Sequence, residues 1–234
     1  MIIDFHSHIL PAIDDGSRSI EESVALLDHM AEHGVEKVVA TPHFYIEEQS
    51  VDSFVEKRNN AYEKLKPYLK PEHPEILLGA EVLYSPLLSG NDTLYKLKIQ
   101  NTDYLLLEMP YHELTPEIIE GVDKIVDFMD LKLVIAHIER YLHFTNYKSL
   151  CSLMDLDVLG QINVKSLTSR QTKKNCFKLI KSNYVQVLGS DFHRTSDIVP
   201  MVDEAAEIID KKFGSGYTHS LMNNAELILN NEDL

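Results

Sequence analysis

The N-terminal stretch Met1-Ile2-Ile3-Asp4-Phe5-His6-Ser7-His8 has the pattern of a buried strand that ends in two histidines. Side chains at positions i and i+2 of a strand point to the same face, so His6 and His8 can close on one metal ion. The acidic turn Asp14-Asp15-Gly16 follows shortly afterwards. This stretch therefore predicts a metal site where the first strand leaves the core.

Further apolar, β-rich runs alternate with helical patterns along the chain. The predicted strands cover residues 2–5, 35–40, 76–79, 104–108, 131–136, 158–162 and 184–189. Several are apolar throughout, which is typical of strands that are buried on both faces of a parallel sheet. Seven βα-like units predict an α/β barrel of one domain over residues 1–234, whose active site lies at the carboxyl ends of the strands.

The helical patterns between these strands carry their own boundary signals. Ser19 and Glu22 form a capping box ahead of a helix that should stop at Gly34, and Thr115-Pro116 predicts another helix start. Helical spacing also runs through residues 51–68, 166–182, 200–212 and 219–229.

Composition narrows the class of protein. The 234 residues are 44% hydrophobic, which is ordinary for a globular core, and no apolar run predicts membrane insertion. A net charge of −15 disfavours a nonspecific nucleic-acid binder. The two cysteines, Cys151 and Cys176, predict neither a disulfide framework nor a Cys-based zinc site, so we expect reduced thiols in a cytoplasmic protein.

Ligand-type side chains follow six of the seven predicted strands. They are His6 and His8, His43, Glu81, Glu108, His137, and Asp191 with His193. Only the sixth strand, which ends near Gln161-Ile162-Asn163, offers no strong ligand. Mixed imidazole and carboxylate donors suit manganese, iron or zinc better than calcium, and their number predicts more than one ion. Clusters of two or three ions commonly act on phosphate esters.

Each of these residues also has an ordinary structural interpretation. Asp14 and Asp15 are common turn residues, and His43 or His137 alone would more often be hydrogen-bonded structural histidines. Arg140 suits bidentate phosphate binding, with a salt bridge to Glu139 as the alternative. The joint pattern favours a metal site.

The quoted motifs resemble the PHP (polymerase and histidinol phosphatase) superfamily, and within it the bacterial CpsB/CapC-type tyrosine-protein phosphatase branch. The resemblance rests on motifs that span residues 4 to 193. They are Asp4-Phe5-His6-Ser7-His8-Ile9-Leu10-Pro11, Asp14-Asp15-Gly16, Ala40-Thr41-Pro42-His43, Glu81, Glu108, His137-Ile138-Glu139-Arg140-Tyr141, Gln161-Ile162-Asn163 and Ser190-Asp191-Phe192-His193.

The resemblance implies a distorted (β/α)7 barrel with a trinuclear centre. One ion would be held by His6, His8, Glu81 and Asp191. A second would share Glu81 and add Glu108 and His137, and a third would take Asp15, His43 and His193. Manganese is the expected metal, as two or three divalent ions, with iron, zinc and magnesium as alternatives.

The resemblance also implies a substrate, a phosphotyrosine protein such as a bacterial tyrosine autokinase of capsular or exopolysaccharide synthesis. Arg140 matches the family's phosphate-binding arginine. Two segments depart from the family pattern, namely 44–48 and 194–200, so Arg194 is the candidate for a second phosphate contact.

The sequence offers no nucleophilic serine motif, Gly-rich phosphate loop or Cys-x5-Arg loop, so the expected nucleophile is metal-bound hydroxide that attacks phosphorus in line. His43 and His193 are candidates for proton transfer, and His112 and His143 lie in loops near the strand ends. The alternatives are a small-molecule phosphatase such as histidinol-phosphate phosphatase, a non-phosphate metallohydrolase, and a binding module that keeps the metals without turnover.

Overall fold

The computed structural model describes residues 1–129, 131–195 and 202–234. The strands within these ranges are β1 (Ile2–Ser7), β2 (Val35–Ala40), β3 (His43–Phe44), β4 (Glu75–Leu78), β5 (Glu81–Leu83), β6 (Tyr104–Glu108), β7 (Lys132–Ile135), β8 (Val158–Asn163) and β9 (Val187–Gly189).

The helices alternate with these strands. They are α1 (Ile20–Glu32), α2 (Val51–Leu65), α3 (Pro116–Met129), α4 (Ile138–Tyr141), α5 (Tyr147–Met154), α6 (Val164–Thr168), α7 (Lys173–Lys181), α8 (Val202–Phe213) and α9 (Tyr217–Leu229), with short 3₁₀ turns at Lys66–Tyr68, Pro86–Leu88 and Leu94–Leu97. None of the described helices is long and apolar enough to span a bilayer.

All the strand pairs are parallel, in the orders β1-β2-β4 and β3-β5-β6-β7-β8-β9. The two groups continue each other, because β3 starts three residues after the end of β2, and β5 starts three residues after the end of β4. Backbone bonds cross this break: the Gly79 amide donates to the Ala40 carbonyl at 2.8 Å, and the Glu81 amide donates to Pro42 at 3.1 Å. The chain therefore forms one α/β fold on a parallel sheet with a local interruption.

The first and last strands also meet. Ser7 forms a parallel bridge with Phe192, and the Asp191 amide donates to the His6 carbonyl at 2.8 Å. Every residue of β6 is buried, as its continuous apolar sequence predicts for a strand covered on both faces. These contacts bring the carboxyl end of β9 beside that of β1.

Several predicted boundaries agree with the structure. The Ser19 hydroxyl accepts the Glu22 amide at 3.2 Å and caps α1, and Gly34 follows that helix at a φ of 72°. The predicted helix over 219–229 begins two residues earlier, at Tyr217. Of the predicted helix over 200–212, residues 200 and 201 lie outside the described ranges.

Two predicted elements differ from the structure. The helix predicted over 166–182 is divided into α6 and α7, because Thr168 and Thr172 direct their hydroxyls to the Lys165 and Ser166 carbonyls and compete with the helical pattern. The strand predicted over 184–189 shortens to β9, since the Tyr184 amide donates to the Leu179 carbonyl and closes the end of α7. The pattern did not predict β3, β5, α4 or α5.

Candidate metal centre

The carboxyl ends of the parallel strands place eight of the nine predicted ligands at one edge of the sheet. His6 lies in β1 and His8 just after it, His43 begins β3, Glu81 begins β5, Glu108 ends β6, His137 follows β7, and Asp191 and His193 follow β9. The ninth, Asp15, comes from the loop between β1 and α1. Residues that are far apart in sequence therefore converge on one cluster, as the strand-end rule predicts.

Glu81 lies at the middle of this cluster. Its Oε2 atom is 3.2 Å from His6 Nε2, 3.3 Å from His8 Nε2 and 3.1 Å from His43 Nδ1. Glu81 is buried, and Oε2 has no hydrogen-bond partner among the described residues. Donors about 2.1 Å from one ion are roughly 3.0–3.4 Å apart, so these spacings fit a divalent cation between the side chains.

Two further groups surround the same carboxylate. His137 Nε2 lies 2.8 Å from Glu81 Oε1 and 3.5 Å from Glu108 Oε1. On the solvent side, Asp15 Oδ1 lies 3.6 Å from His43 Nε2 and 3.4 Å from His193 Nε2. Within the described ranges, three sets of donors converge closely enough to hold an ion. They are His6, His8 and Glu81; His43, Glu81 and Glu108; and His8, Asp15, His43 and His193.

Asp191 connects the cluster to the outer residues. Its Oδ1 atom is 3.5 Å from His6 Nε2 and 3.4 Å from His8 Nε2, while Oδ2 pairs with Arg140. Burial alone would raise the pKa of Asp191, but the charges of His6 and Arg140 hold it well below its usual range. The Asp191 side chain is therefore ionised in this environment.

The backbone is strained at two of these positions. His137 has a φ of 30° and Asp191 a φ of 54°, in the left-handed region that residues with a Cβ seldom adopt. Such conformations cost about 1–3 kcal/mol each and persist where the surroundings enforce them. Here they occur at residues that carry candidate ligands, immediately after β7 and β9.

Residues outside the cluster fix the orientation of two imidazoles. His8 Nδ1 donates to Asp14 Oδ2 at 2.7 Å, and this bond lowers the pKa of Asp14 to about 2 although burial opposes the change. His6 Nδ1 donates to Gln161 Oε1 at 3.2 Å. Both histidines therefore turn Nε2 towards Glu81, in the arrangement by which carboxylates and amides orient metal-binding histidines.

Gln161 is a residue whose role the sequence analysis missed. Besides His6, its Oε1 atom accepts the His137 amide at 2.7 Å, and its Nε2 atom donates to Asn163 at 2.8 Å. Asn163 in turn donates to Asp191 Oδ2 at 2.8 Å. The available signal was two amide side chains with i, i+2 spacing at the end of an otherwise apolar strand.

Replacing Gln161 with leucine should weaken metal binding without removing a ligand. We expect Gln161→Leu to lose about 10- to 100-fold in Mn²⁺ affinity, because His6 loses its acceptor and is free to rotate. Calorimetric titration of the metal-free protein measures this change. The exposed Gln171→Leu is the matched control, and equal affinities in the two variants would contradict the role of Gln161.

Gly189 allows β9 to approach β1 closely at this point. A Cβ on Gly189 would lie 2.5 Å from the His6 Cβ and 2.8 Å from Gln161 Nε2. Overpacking of this kind typically costs about 1–3 kcal/mol. The absence of a side chain at Gly189 therefore sets the position of the His6 imidazole.

Gly189→Ala should lower the free energy of unfolding by about 1–3 kcal/mol and weaken Mn²⁺ binding as well. Gly79→Ala is the control, because its nearest neighbour, Val39 Cγ1, would lie 3.3 Å from the new methyl group and can shift. Urea titrations with and without Mn²⁺ separate the two effects. A Gly189→Ala protein with unchanged stability and affinity would show that the close approach is unimportant.

A cavity of about 570 Å³ opens over the cluster. Its lining includes His43, Glu81, Asp191 and His193, together with Arg140. Arg140 is 38% exposed and pairs with Asp191. The alternative pairing with Glu139 is wrong, because Glu139 is buried and accepts the Ser166 hydroxyl at 2.6 Å instead.

The remaining predicted contacts lie further out. Arg194 donates to the Asp15 carbonyl at 3.2 and 3.4 Å, and residues 196–200 of the segment that follows are outside the described ranges. His112 and His143 are exposed and are not among the described residues that line the cavity.

Known proteins are similar to this chain in sequence and fold over nearly their full length. The tyrosine-protein phosphatase YwqE of Bacillus subtilis is 29% identical over 100% of this chain and 93% of its own length. The tyrosine-protein phosphatase CpsB of Streptococcus pneumoniae is 31% identical over 92% of each chain. A chain from the crystal structures of YwqE and CpsB, described as metal-dependent tyrosine phosphatases, superposes on this chain with a TM-score of 0.84 and 27% identity. The superposition covers 100% of this chain and 96% of the other.

The family model for capsular polysaccharide synthesis proteins CpsB/CapC matches residues 2–230. That match covers every strand and every candidate ligand described above, so the resemblance predicted from the motifs is confirmed. The chain belongs to the CpsB/CapC family.

Proposed function

We propose that this chain is a metal-dependent protein-tyrosine phosphatase that hydrolyses phosphoric monoesters. The observation that carries the proposal is the buried Glu81 carboxylate, whose Oε2 atom has three imidazole nitrogens within 3.3 Å, below a cavity that also contains Arg140. The relatives named as tyrosine-protein phosphatases, which align over nearly the whole chain, support the same chemistry.

The ligand assignment is part of this proposal. His6, His8, Glu81 and Asp191 would hold one ion. Glu81, Glu108 and His137 would hold a second, and Asp15, His43 and His193 a third. The spacings of 2.8–3.6 Å around Glu81, Glu108 and Asp15 are compatible with this division, and His43 Nδ1, 3.1 Å from Glu81 Oε2, is also within reach of the second position. Manganese is the proposed metal, with iron, zinc and magnesium as alternatives that elemental analysis distinguishes.

Divalent cations in such a site lower the pKa of a bound water and offset the charge of a phosphoryl group. The side chains of this protein would do the rest of the work. The planar guanidinium of Arg140 can donate two parallel hydrogen bonds to phosphoryl oxygens, since it carries five N–H donors and pairs with Asp191 through Nη2. His43 and His193 line the cavity and are the proposed groups for proton transfer when the third position holds no ion, while a role for Arg194 in binding the phosphoryl group stays a prediction.

Three finer statements go with the function. We propose that the fold is a distorted (β/α)7 barrel of a single domain over residues 1–234, in which β2 with β3, and β4 with β5, each count as one strand. The physiological substrate is proposed to be a phosphotyrosine protein, specifically a tyrosine autokinase of capsule or exopolysaccharide synthesis. A cytoplasmic location stays a prediction.

Elemental analysis and a substrate panel test the function together. The protein is stripped with a chelator, reloaded with Mn²⁺, and assayed on phosphotyrosine peptides, phosphoserine peptides and histidinol phosphate. We expect Mn²⁺-dependent turnover with the highest kcat/KM on phosphotyrosine peptides. A preference for histidinol phosphate would establish the small-molecule alternative, and no turnover on any ester after reloading would overturn the proposal.

A further inference from the structure

Two tyrosines, Tyr45 and Tyr111, line the cavity over the candidate metal centre and are not among the proposed metal ligands. The Tyr45 ring stacks on His43, with centroids 5.5 Å apart and planes at 20°. The Tyr111 ring stacks on His137, with centroids 6.1 Å apart and planes at 23°. Both phenol rings line the same cavity as Glu81 and Arg140.

The two stacked histidines contact different oxygens of one carboxylate. His43 Nδ1 is 3.1 Å from Glu81 Oε2, and His137 Nε2 is 2.8 Å from Glu81 Oε1. Each tyrosine ring is therefore stacked on a histidine that contacts a different oxygen of Glu81. A molecule bound in the cavity near Glu81 is therefore within reach of both aromatic surfaces, which line the same cavity.

Tyr111 is held in place although much of it faces solvent. It is 45% exposed, its ring lies 5.5 Å from that of Phe144 and 6.3 Å from that of Tyr141, and its hydroxyl accepts from Arg140 Nη1 at 3.3 Å. Tyr141 is itself fully buried, and its hydroxyl accepts the Met109 amide at 2.8 Å. Tyr111 is thus an exposed aromatic surface with a fixed orientation next to the guanidinium.

This position has a chemical consequence for a phosphate ester. If the phosphoryl group lies on Arg140 and the cations, the ester group occupies the rest of the cavity, where it can contact Tyr45 and Tyr111. An aromatic ester group can stack on such rings, with a gain of about 0.5–1.5 kcal/mol for each pair beyond simple burial, whereas a short alkyl group cannot.

We propose that Tyr45 and Tyr111 make the site selective for aryl over alkyl phosphate esters. This inference rests on the proposed phosphatase function and names the residues that determine its substrate class. Tyr45 and Tyr111 act as specificity residues through their rings. The Tyr111 hydroxyl contacts Arg140, and this contact does not distinguish aryl from alkyl esters.

Non-hydrolysable ligands test this inference by binding alone, because aryl and alkyl esters also differ in the reactivity of their leaving groups. Phenylphosphonate and methylphosphonate are titrated calorimetrically into the Mn²⁺-loaded full chain. We expect wild type to bind phenylphosphonate more tightly, and Tyr111→Leu and Tyr45→Leu each to reduce the ratio of the two affinities by about three- to tenfold. Tyr111→Phe should keep the ratio, because the ring remains.

Tyr95→Leu is the matched control, since Tyr95 is 57% exposed and lines a different cavity. The inference is overturned if both phosphonates bind and neither leucine variant changes their affinity ratio. If Tyr111→Leu does not fold, Tyr45→Leu decides by the same criterion. Wild type that binds neither phosphonate and hydrolyses no ester would instead overturn the proposed function.

Discussion

His6→Ala/His8→Ala is expected to lower the Mn²⁺-dependent kcat/KM on 4-nitrophenyl phosphate by at least about a thousandfold, since the phosphoryl chemistry depends on bound cations. Both imidazoles direct Nε2 towards Glu81 Oε2, at 3.2 and 3.3 Å. Their Nδ1 atoms are hydrogen-bonded to Gln161 and Asp14, respectively. Their removal takes two donors from one proposed ion. Metal content by elemental analysis should fall together with activity.

A surface histidine serves as the control for this double variant. His219 is exposed on α9, so His219→Ala should keep both metal and activity. Circular dichroism establishes that the double variant is folded. Full, metal-dependent activity in the folded double variant would mean that the proposed mechanism is wrong.

Arg140→Lys should reduce kcat/KM by about 100-fold or more while leaving the metal content unchanged. Lysine keeps the positive charge but cannot donate two parallel hydrogen bonds to a phosphoryl group, and electrostatic stabilisation of the transition state is lost in part. Arg140 contributes no metal-binding atom, so elemental analysis separates this loss from that of the histidine variant. The exposed Arg18→Lys, which pairs only with Glu22 among the described residues, is the control.

The Arg140→Lys experiment also distinguishes two roles of the guanidinium. If Arg140 only neutralised Asp191, lysine would substitute well and the rate would change little. A large fall in kcat/KM with unchanged metal content is expected instead for direct contact with the phosphoryl group. Activity close to wild type in Arg140→Lys would contradict that contact.

The sequence could predict the strand ends because two simple regularities act there. Buried parallel strands read as apolar runs, and polar side chains directly after them must lie at one edge of the sheet. His43, Glu81, Glu108, His137 and Asp191 all follow that rule, and the structure brings them together around Glu81. The family and its chemistry are confirmed by the comparisons, whereas the division of ligands among ions stays a prediction.

Other features depend on contacts that no local pattern contains. The sequence did not indicate the role of Gln161, because its side chain is not a metal ligand. Its Oε1 atom accepts hydrogen bonds from the His6 ring and the His137 backbone, which lie at the ends of two other strands. The strands β3 and β5 are only two and three residues long, too short for a period to be recognised. The pairing of Arg140 with Asp191 joins residues 51 positions apart, and the adjacent Glu139 was the nearer candidate in sequence.

The Gln161 carbonyl oxygen has a consequence for how the centre would take up metal. One atom receives both the His6 ring and the His137 backbone, and these two histidines are assigned to different ions. A cation at one position that moves its histidine would also shift this oxygen, and with it the histidine of the other position. The affinities of the two positions should therefore be coupled, so that filling one position changes the affinity of the other.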